Sequence, residues 1–100
     1  MTPNQLPPYS VLCHTNNCFN EAVYKIAARW SDGVTSELKT YSLCCRNCLA
    51  NEYRASKERQ ARCRLGPGES VEAPGIYQLH RGSRDARLQR LAELEAQLNA

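Results

Sequence analysis

The sequence lacks the features that mark a membrane protein or most enzymes. No apolar run approaches the roughly 18–20 residues that a membrane-spanning helix needs. Histidine occurs only at His14 and His80, and no glycine-rich loop of the phosphate-binding kind is present. No nucleophile with a partnering general base is indicated. The sequence therefore predicts a protein that is not an enzyme and has no membrane partner.

Aromatic side chains are also few, with one Trp, one Phe and five Tyr among 100 residues. A chain of this length buries only about 60–65% of the surface that its unfolded form exposes, so its core is small. Small domains of this kind usually depend on a disulfide framework or a metal ion. The six cysteines of this chain can supply either.

The expected cellular compartment favours a metal. Residues 1–10 contain three prolines and have neither the basic nor the apolar region of an export signal. They predict a flexible lead-in. Thiols stay reduced in the cytoplasm, where clustered cysteines are typical of a metal site. The sequence thus predicts a cytoplasmic protein whose cysteines hold a metal ion.

Residues 11–66 are expected to form the metal-binding domain. The segment CHTNNCFN predicts a tight loop, because asparagine tolerates the left-handed backbone conformation. Alternating residues predict a half-buried strand over 22–30 and a second strand over 37–45, joined by a turn at Ser31-Asp32-Gly33. A helix is expected from Cys48 to Arg64, where Gly66-Pro67 ends it.

Two further parts complete an expected α+β fold. Residues 67–82 predict a second short hairpin, since Ala73-Pro74-Gly75 suits a type II turn. Residues 83–100 predict an amphipathic helix over Arg84–Asn99, with Ser83 as its N-cap.

The order of these parts resembles the treble-clef zinc finger. In such fingers a cysteine loop is followed by a hairpin and then by a Cys-x-x-Cys at the start of a helix. The resemblance covers about residues 13–64 and is one of architecture. It implies one structural Zn²⁺ held by Cys13, Cys18, Cys45 and Cys48. The four-residue gap between Cys13 and Cys18 is wider than is usual in these fingers, but it suits zinc.

Other residues compete for the same roles. Cys44 can replace Cys45, although the two point to opposite faces of a strand and Cys45 gives the two-residue gap to Cys48. His14 is a further alternative ligand. Cys63 falls on the inward face of the predicted helix, so we expect a buried thiol rather than a fifth ligand or a redox-active group.

The basic residues around the predicted helix raise the alternative of nucleic-acid binding. On a helical wheel they do not gather on one side, and Glu58 stands beside Arg54. A phosphate-binding stripe is one-sided. The residues concerned are Arg46, Arg54, Lys57, Arg59, Arg62 and Arg64.

The C-terminal helix carries an apolar stripe about 120° wide. Its members are Leu88, Leu91, Leu94 and Leu98. The stripe either covers the core of its own chain or serves a protein partner or self-association, because so short a helix is marginal alone in water.

The sequence as a whole predicts a non-catalytic zinc module that acts as a protein-interaction adaptor or small regulator. The alternatives are a nucleic-acid-binding zinc finger and, third, a thiol redox sensor.

Overall fold

A computed structural model of the chain describes residues 11–79 and 89–99. The predicted lead-in, the N-cap at Ser83 and the stripe residue Leu88 lie outside these ranges. The fold is α+β, as predicted, with a small antiparallel sheet and two helices.

The first hairpin is confirmed. Strand β1 spans Tyr24–Ser31 and strand β2 spans Ser36–Cys44, and the two pair antiparallel with a bulge in β2 opposite Ile26 and Ala27. The carboxylate of Asp32 closes the turn by accepting hydrogen bonds from the backbone N–H groups of Val34 and Thr35 at 2.8 and 2.7 Å.

The predicted second hairpin is wrong. Strands β3 (Ser70–Val71) and β4 (Gly75–Gln78) both pair antiparallel with the free edge of β1, and not with each other. They form one interrupted edge, on which the backbone N–H of Glu72 still donates to the carbonyl of Arg29 at 3.0 Å. The interruption falls at Pro74, which has no N–H to donate to the ladder.

Strand β1 is therefore the central strand, and this changes its burial. Its residues from Tyr24 to Ala28 are all buried, so the predicted alternation of a half-buried strand is wrong. Lys25 lies between Leu43 of β2 and Tyr77 of β4 in the register. Side chains of neighbouring strands cover the aliphatic stem of such a lysine.

Helix α1 spans Leu49–Arg62 and follows a 3-10 turn at Arg46–Cys48. Its buried residues Leu49 and Tyr53 join the core cluster on the sheet. The helix ends two residues before the predicted Arg64, and Cys63 continues in an extended conformation. Cys63 is exposed, so the expected buried thiol is wrong.

The C-terminal segment also departs from the prediction. Gln89–Leu91 runs antiparallel beside β4: Gln78 N donates to Gln89 O at 2.9 Å, and Leu91 N donates to Ile76 O at 2.7 Å. Helix α2 spans Ala92–Asn99, and residues 84–88 of the predicted helix lie outside the described ranges. The prediction of a helix through 89–91 is wrong, because this backbone hydrogen-bonds to the edge of the sheet.

Helix α2 packs on its own chain. Leu91, Leu94 and Leu98 pack against the core cluster that also contains Ile26 and Ile76. No helix in the part of the chain that the structure covers is long and apolar enough to cross a membrane.

Candidate metal centre

The first cysteine pair lies in a closed loop. Cys13 N donates to Asn20 O at 2.9 Å, and Cys18 N donates to Thr15 O at 3.1 Å. Asn17 adopts a left-handed conformation with φ of 65°, as the Asn-Asn sequence predicted. The loop thus brings both of its thiols to one side of the backbone turn.

The second pair lies where β2 gives way to α1. Cys45 follows the last residue of β2 with an extended backbone, and Cys48 N donates to Cys45 O at 3.3 Å. The two cysteine segments are joined because His14 N donates to the carbonyl of Leu43 at 2.8 Å. This bond attaches the first loop to the end of the hairpin.

The four cysteines Cys13, Cys18, Cys45 and Cys48 form one cluster. All four Sγ atoms lie within 4.8 Å of one another, and Cys18 Sγ lies 3.7 Å from Cys45 Sγ. A zinc ion with Zn–S bonds of about 2.3 Å in a tetrahedron separates its sulfurs by about 3.8 Å. A disulfide needs an S–S distance of about 2.05 Å, and all four thiols are free. The geometry is that of a metal site.

The electrostatics of the cluster limit how many of its thiols ionise at once. Burial opposes ionisation of Cys45, but hydrogen bonds, led by that from Asn20 Nδ2 at 3.6 Å, lower its pKa to about 6. At Cys48 the Thr15 hydroxyl favours the thiolate, yet burial and the neighbouring thiols raise the pKa to about 12. Four close thiols thus do not ionise together unaided. A bound divalent ion deprotonates its thiol ligands outright.

The surroundings of the thiols also fit a metal. Thr15 Oγ1 is buried near the thiols of Cys13 and Cys48 and favours their ionised forms, although within residues 11–79 and 89–99 it has no hydrogen bond of ordinary geometry. Burial raises the pKa of Cys13, but the Thr15 hydroxyl and nearby backbone N–H groups lower it more. A metal-bound thiolate offers this hydroxyl a charged acceptor, which lowers the cost of burying it.

The competing residues lie apart from the cluster. Cys44 is fully buried in the core beneath α1, and burial raises its pKa to about 12. His14 is exposed, and its Nδ1 accepts a hydrogen bond from Leu43 N at 3.3 Å. Cys63 is exposed beyond α1. The structure brings together the four thiols that the sequence singled out and none of these three residues.

Two supporting residues were missed from the sequence. Thr15 lies between Cys13 and Cys18, and Asn20 follows Cys18 by two residues. Their side chains act on the thiols of Cys48 and Cys45, respectively. The signal was present, because polar residues between and just after paired cysteines commonly support the ligands. Which polar residue faces the sulfur depends on the conformation of the loop.

No family model, curated protein or solved structure matches the chain. The likeness to the treble clef therefore rests on the order of the elements around the cysteines. The function has to be argued from this site and from the surfaces around it.

Proposed function

We propose that this protein is a non-catalytic zinc module that acts as a protein-interaction adaptor or small regulator. The observation that carries the metal is the cluster of four free thiols, all within 4.8 Å of one another. Cys13, Cys18, Cys45 and Cys48 would each supply one thiolate. The ion would contribute positive charge and a fixed tetrahedral crosslink between the first loop and the end of the hairpin.

The chemistry of the ligand set supports zinc in a structural role. Four thiolates suit zinc or iron among the common metals, and they occupy every position of a tetrahedral ion. A catalytic zinc keeps a position for water, and its ligands normally include a histidine or carboxylate. Elemental analysis of freshly purified protein separates zinc from iron, and an iron–sulfur protein would also be coloured.

The treble-clef arrangement is part of the same proposal. The cysteine loop, the β1–β2 hairpin and α1 follow one another in the order of that finger. The second pair lies between the end of the hairpin and the start of the helix, as the finger requires. This order supports a structural zinc, because in such a finger the ion joins the hairpin to the loop.

The adaptor role draws its support from exposed apolar side chains near the cysteine loop. Phe19 is 81% exposed and directly follows Cys18, while Leu12 is 53% exposed and precedes Cys13. Exposed aromatic residues are frequent anchors of protein interfaces. Because Leu91, Leu94 and Leu98 pack on their own core, we place the partner surface at this loop instead.

One observation favours nucleic-acid binding as a second candidate. Phe19 is exposed, and an exposed ring can stack on a base. Exposed Arg46 and Arg54 add positive charge, but exposed Glu58 lies in the same helical stretch as Arg54. The charge is therefore mixed.

Affinity capture with matched variants tests the adaptor role. We expect Phe19→Ala to lose the protein partners of the native chain. Val34→Ala, which changes another apolar side chain that is 90% exposed, should keep them. Equal capture by both variants would contradict the placement at the loop. Salt-dependent retention on single-stranded RNA or DNA, abolished by Phe19→Ala, would favour the second candidate instead.

A further inference from the structure

Among residues 11–79 and 89–99, no strand pairs with the outer edge of β2 in the middle of its length. Ser36, Glu37, Lys39 and Thr40 are exposed, and Leu38 is half-buried. The sheet continues from β1 away from β2, through β3 and β4, so β2 is the border strand of the described sheet. An unpaired edge of this kind is a ready template for another strand.

The direction of the free backbone groups follows from the register. The carbonyl of Arg29 accepts from Glu72 N on the far side of β1, and Arg29 is opposite Leu38. In an antiparallel pair such a residue and its partner both direct their backbone groups away from each other. Leu38 therefore points its N–H and C=O outward, and Ser36 and Thr40, two residues away on either side, do the same.

Hydrogen bonds within the chain limit the open stretch of β2 at both of its ends. Beyond Thr40 the carbonyl of Tyr41 accepts from Arg59 Nη1 at 3.1 Å. The backbone of Leu43 is bonded to His14 through both its carbonyl and its N–H. At the other end the turn closes at Asp32–Thr35. A partner strand thus has five residues available, 36–40.

We propose that a second copy of this chain pairs antiparallel with this edge, about a two-fold axis at Leu38. In that register Leu38 is opposite its own copy, and Ser36 is opposite Thr40. All the outward backbone groups of residues 36, 38 and 40 find partners across the axis. Glu37 then lies opposite Lys39 of the second copy, twice, in the close pairs where side chains contact most directly.

The charges of Glu37 and Lys39 favour a second copy of this chain as the partner and favour one register of the pairing. Within one chain Glu37 Oε1 lies 3.6 Å from Lys39 Nζ, and both side chains are at least half exposed. Moving the axis by one residue places Glu37 opposite Glu37 or Lys39 opposite Lys39, which is unfavourable. A two-fold symmetric pairing makes the same patch serve both copies. Because only five residues pair, the dimer is weak and reversible.

Sedimentation of the full, zinc-loaded chain in low salt tests the proposal. The native chain should show a monomer–dimer equilibrium between about 10 µM and 1 mM, and added salt should weaken it. Lys39→Glu and Glu37→Lys each place like charges across the axis. Each should raise the dissociation constant by about tenfold or more. Glu58→Lys, an exposed charge reversal on α1, is the matched control and should behave as the native chain.

Mixing the two variants separates pairing from misfolding. A Lys39→Glu chain opposite a Glu37→Lys chain restores two opposite-charge pairs, so the mixture should form a heterodimer at least as readily as the native dimer. A native chain that stays monomeric to 1 mM would overturn the proposal, as would single variants that dimerise like the native chain. A mixture that associates no better than either variant alone would also overturn it.

Discussion

Cys44 and Cys45 are neighbours in the chain but lie in opposite environments. Cys44 is fully buried among the core side chains, whereas the sulfur of Cys45 faces Cys18 at 3.7 Å and accepts from Asn20. The period of two along an extended chain separates them. A one-residue change of register would exchange their roles, so substitutions at the two positions test the register directly.

We expect Cys45→Ser to lose zinc and cooperative folding, because a hydroxyl is a poor replacement for a thiolate ligand. Cys44→Ser should keep zinc, and its free energy of unfolding should fall by about 1–3 kcal/mol, the cost of a polar group in packed surroundings. Cys63→Ser, at an exposed position, should change stability by less than about 0.5 kcal/mol. Zinc content and urea unfolding of the three variants provide the comparison. Loss of zinc in Cys44→Ser with retention in Cys45→Ser would contradict the register.

For single residues, the spacing of the cysteines predicted the cluster well. The sequence predicted less well whether a given side chain is buried or exposed. The gaps between Cys13 and Cys18 and between Cys45 and Cys48 singled out the thiols that the structure brings together. Cys63 was misplaced because the helical wheel assumed a helix to Arg64, while the helix ends at Arg62. The last turn of a helix depends on capping and on tertiary contacts, which periodicity does not contain.

Helix α2 is attached to the sheet through the buried carboxylate of Glu95. Glu95 Oε2 accepts from Ile76 N at 3.0 Å, and the two carboxylate oxygens accept from Arg90 at 2.9 and 3.0 Å. Gly75 leaves room for this group, since a Cβ there would lie 2.9 Å from Arg90 Nε. Gly75, predicted as a turn residue, thus allows the side chains of Arg90 and Glu95 to approach the strand closely.

The Glu95 site gives a pH dependence with a definite sign. Burial opposes the charge, but the hydrogen bonds from Arg90 and Ile76 outweigh it and hold the pKa of Glu95 below its usual 4.5. A lowered pKa contributes stability that is present above about pH 4.5 and is lost as the pH falls through the folded-state value.

We therefore expect Glu95→Gln to lower the free energy of unfolding by about 1–2 kcal/mol at pH 7. The effect is small for a charged pair because Arg90 is partly exposed to solvent. The difference from the native chain should stay constant down to about pH 5 and narrow below pH 4.5. Urea unfolding of both proteins measures it at each pH at which both chains still hold their zinc, which elemental analysis at the same pH establishes. A difference that widens on acidification would contradict the assignment.

The leucines of α2 test whether the helix belongs to the core. Leu94 is half-buried against the core cluster, so Leu94→Ala should lower the free energy of unfolding by about 1–2 kcal/mol, less than for a fully buried leucine. Gln97→Ala, on the exposed side of the same helix, should change it by less than about 0.5 kcal/mol. Chemical denaturation of both variants gives the answer. If Leu94→Ala leaves the stability unchanged but abolishes association, the leucine stripe is a surface for a partner and not part of the core.

Among the elements, those with local signals were predictable and those made by distant pairing were not. The β1–β2 hairpin and α1 carry their own turns and periodicity. The segments around Val71 and Ile76 carry strand residues, but their common partner is β1, whose paired residues lie 39 to 54 positions earlier. Residues 89–91 have helix-forming composition and are extended because the edge of β4 bonds their backbone. Tertiary pairing overrides propensity in such short segments.

At the scale of the whole molecule, a small core is combined with a site that can crosslink it. In the part of the chain that the structure describes, few side chains of appreciable size are fully buried, and Ile26 and Ile76 are the largest of them. A structural zinc contributes apparent binding energy on the order of 10 kcal/mol, which is comparable with the whole stability of a small domain. The ion would join the loop after Val11 to the end of the hairpin at Cys45. We infer that the domain depends on the metal to fold.

The most direct test is the metal content of the pure protein together with its unfolding before and after chelation. The account predicts one zinc per chain by elemental analysis. It also predicts that a chelator removes the cooperative thermal transition seen by circular dichroism, and that added zinc restores it. Protein that is free of metal and unfolds with the same cooperative transition would contradict the central claim.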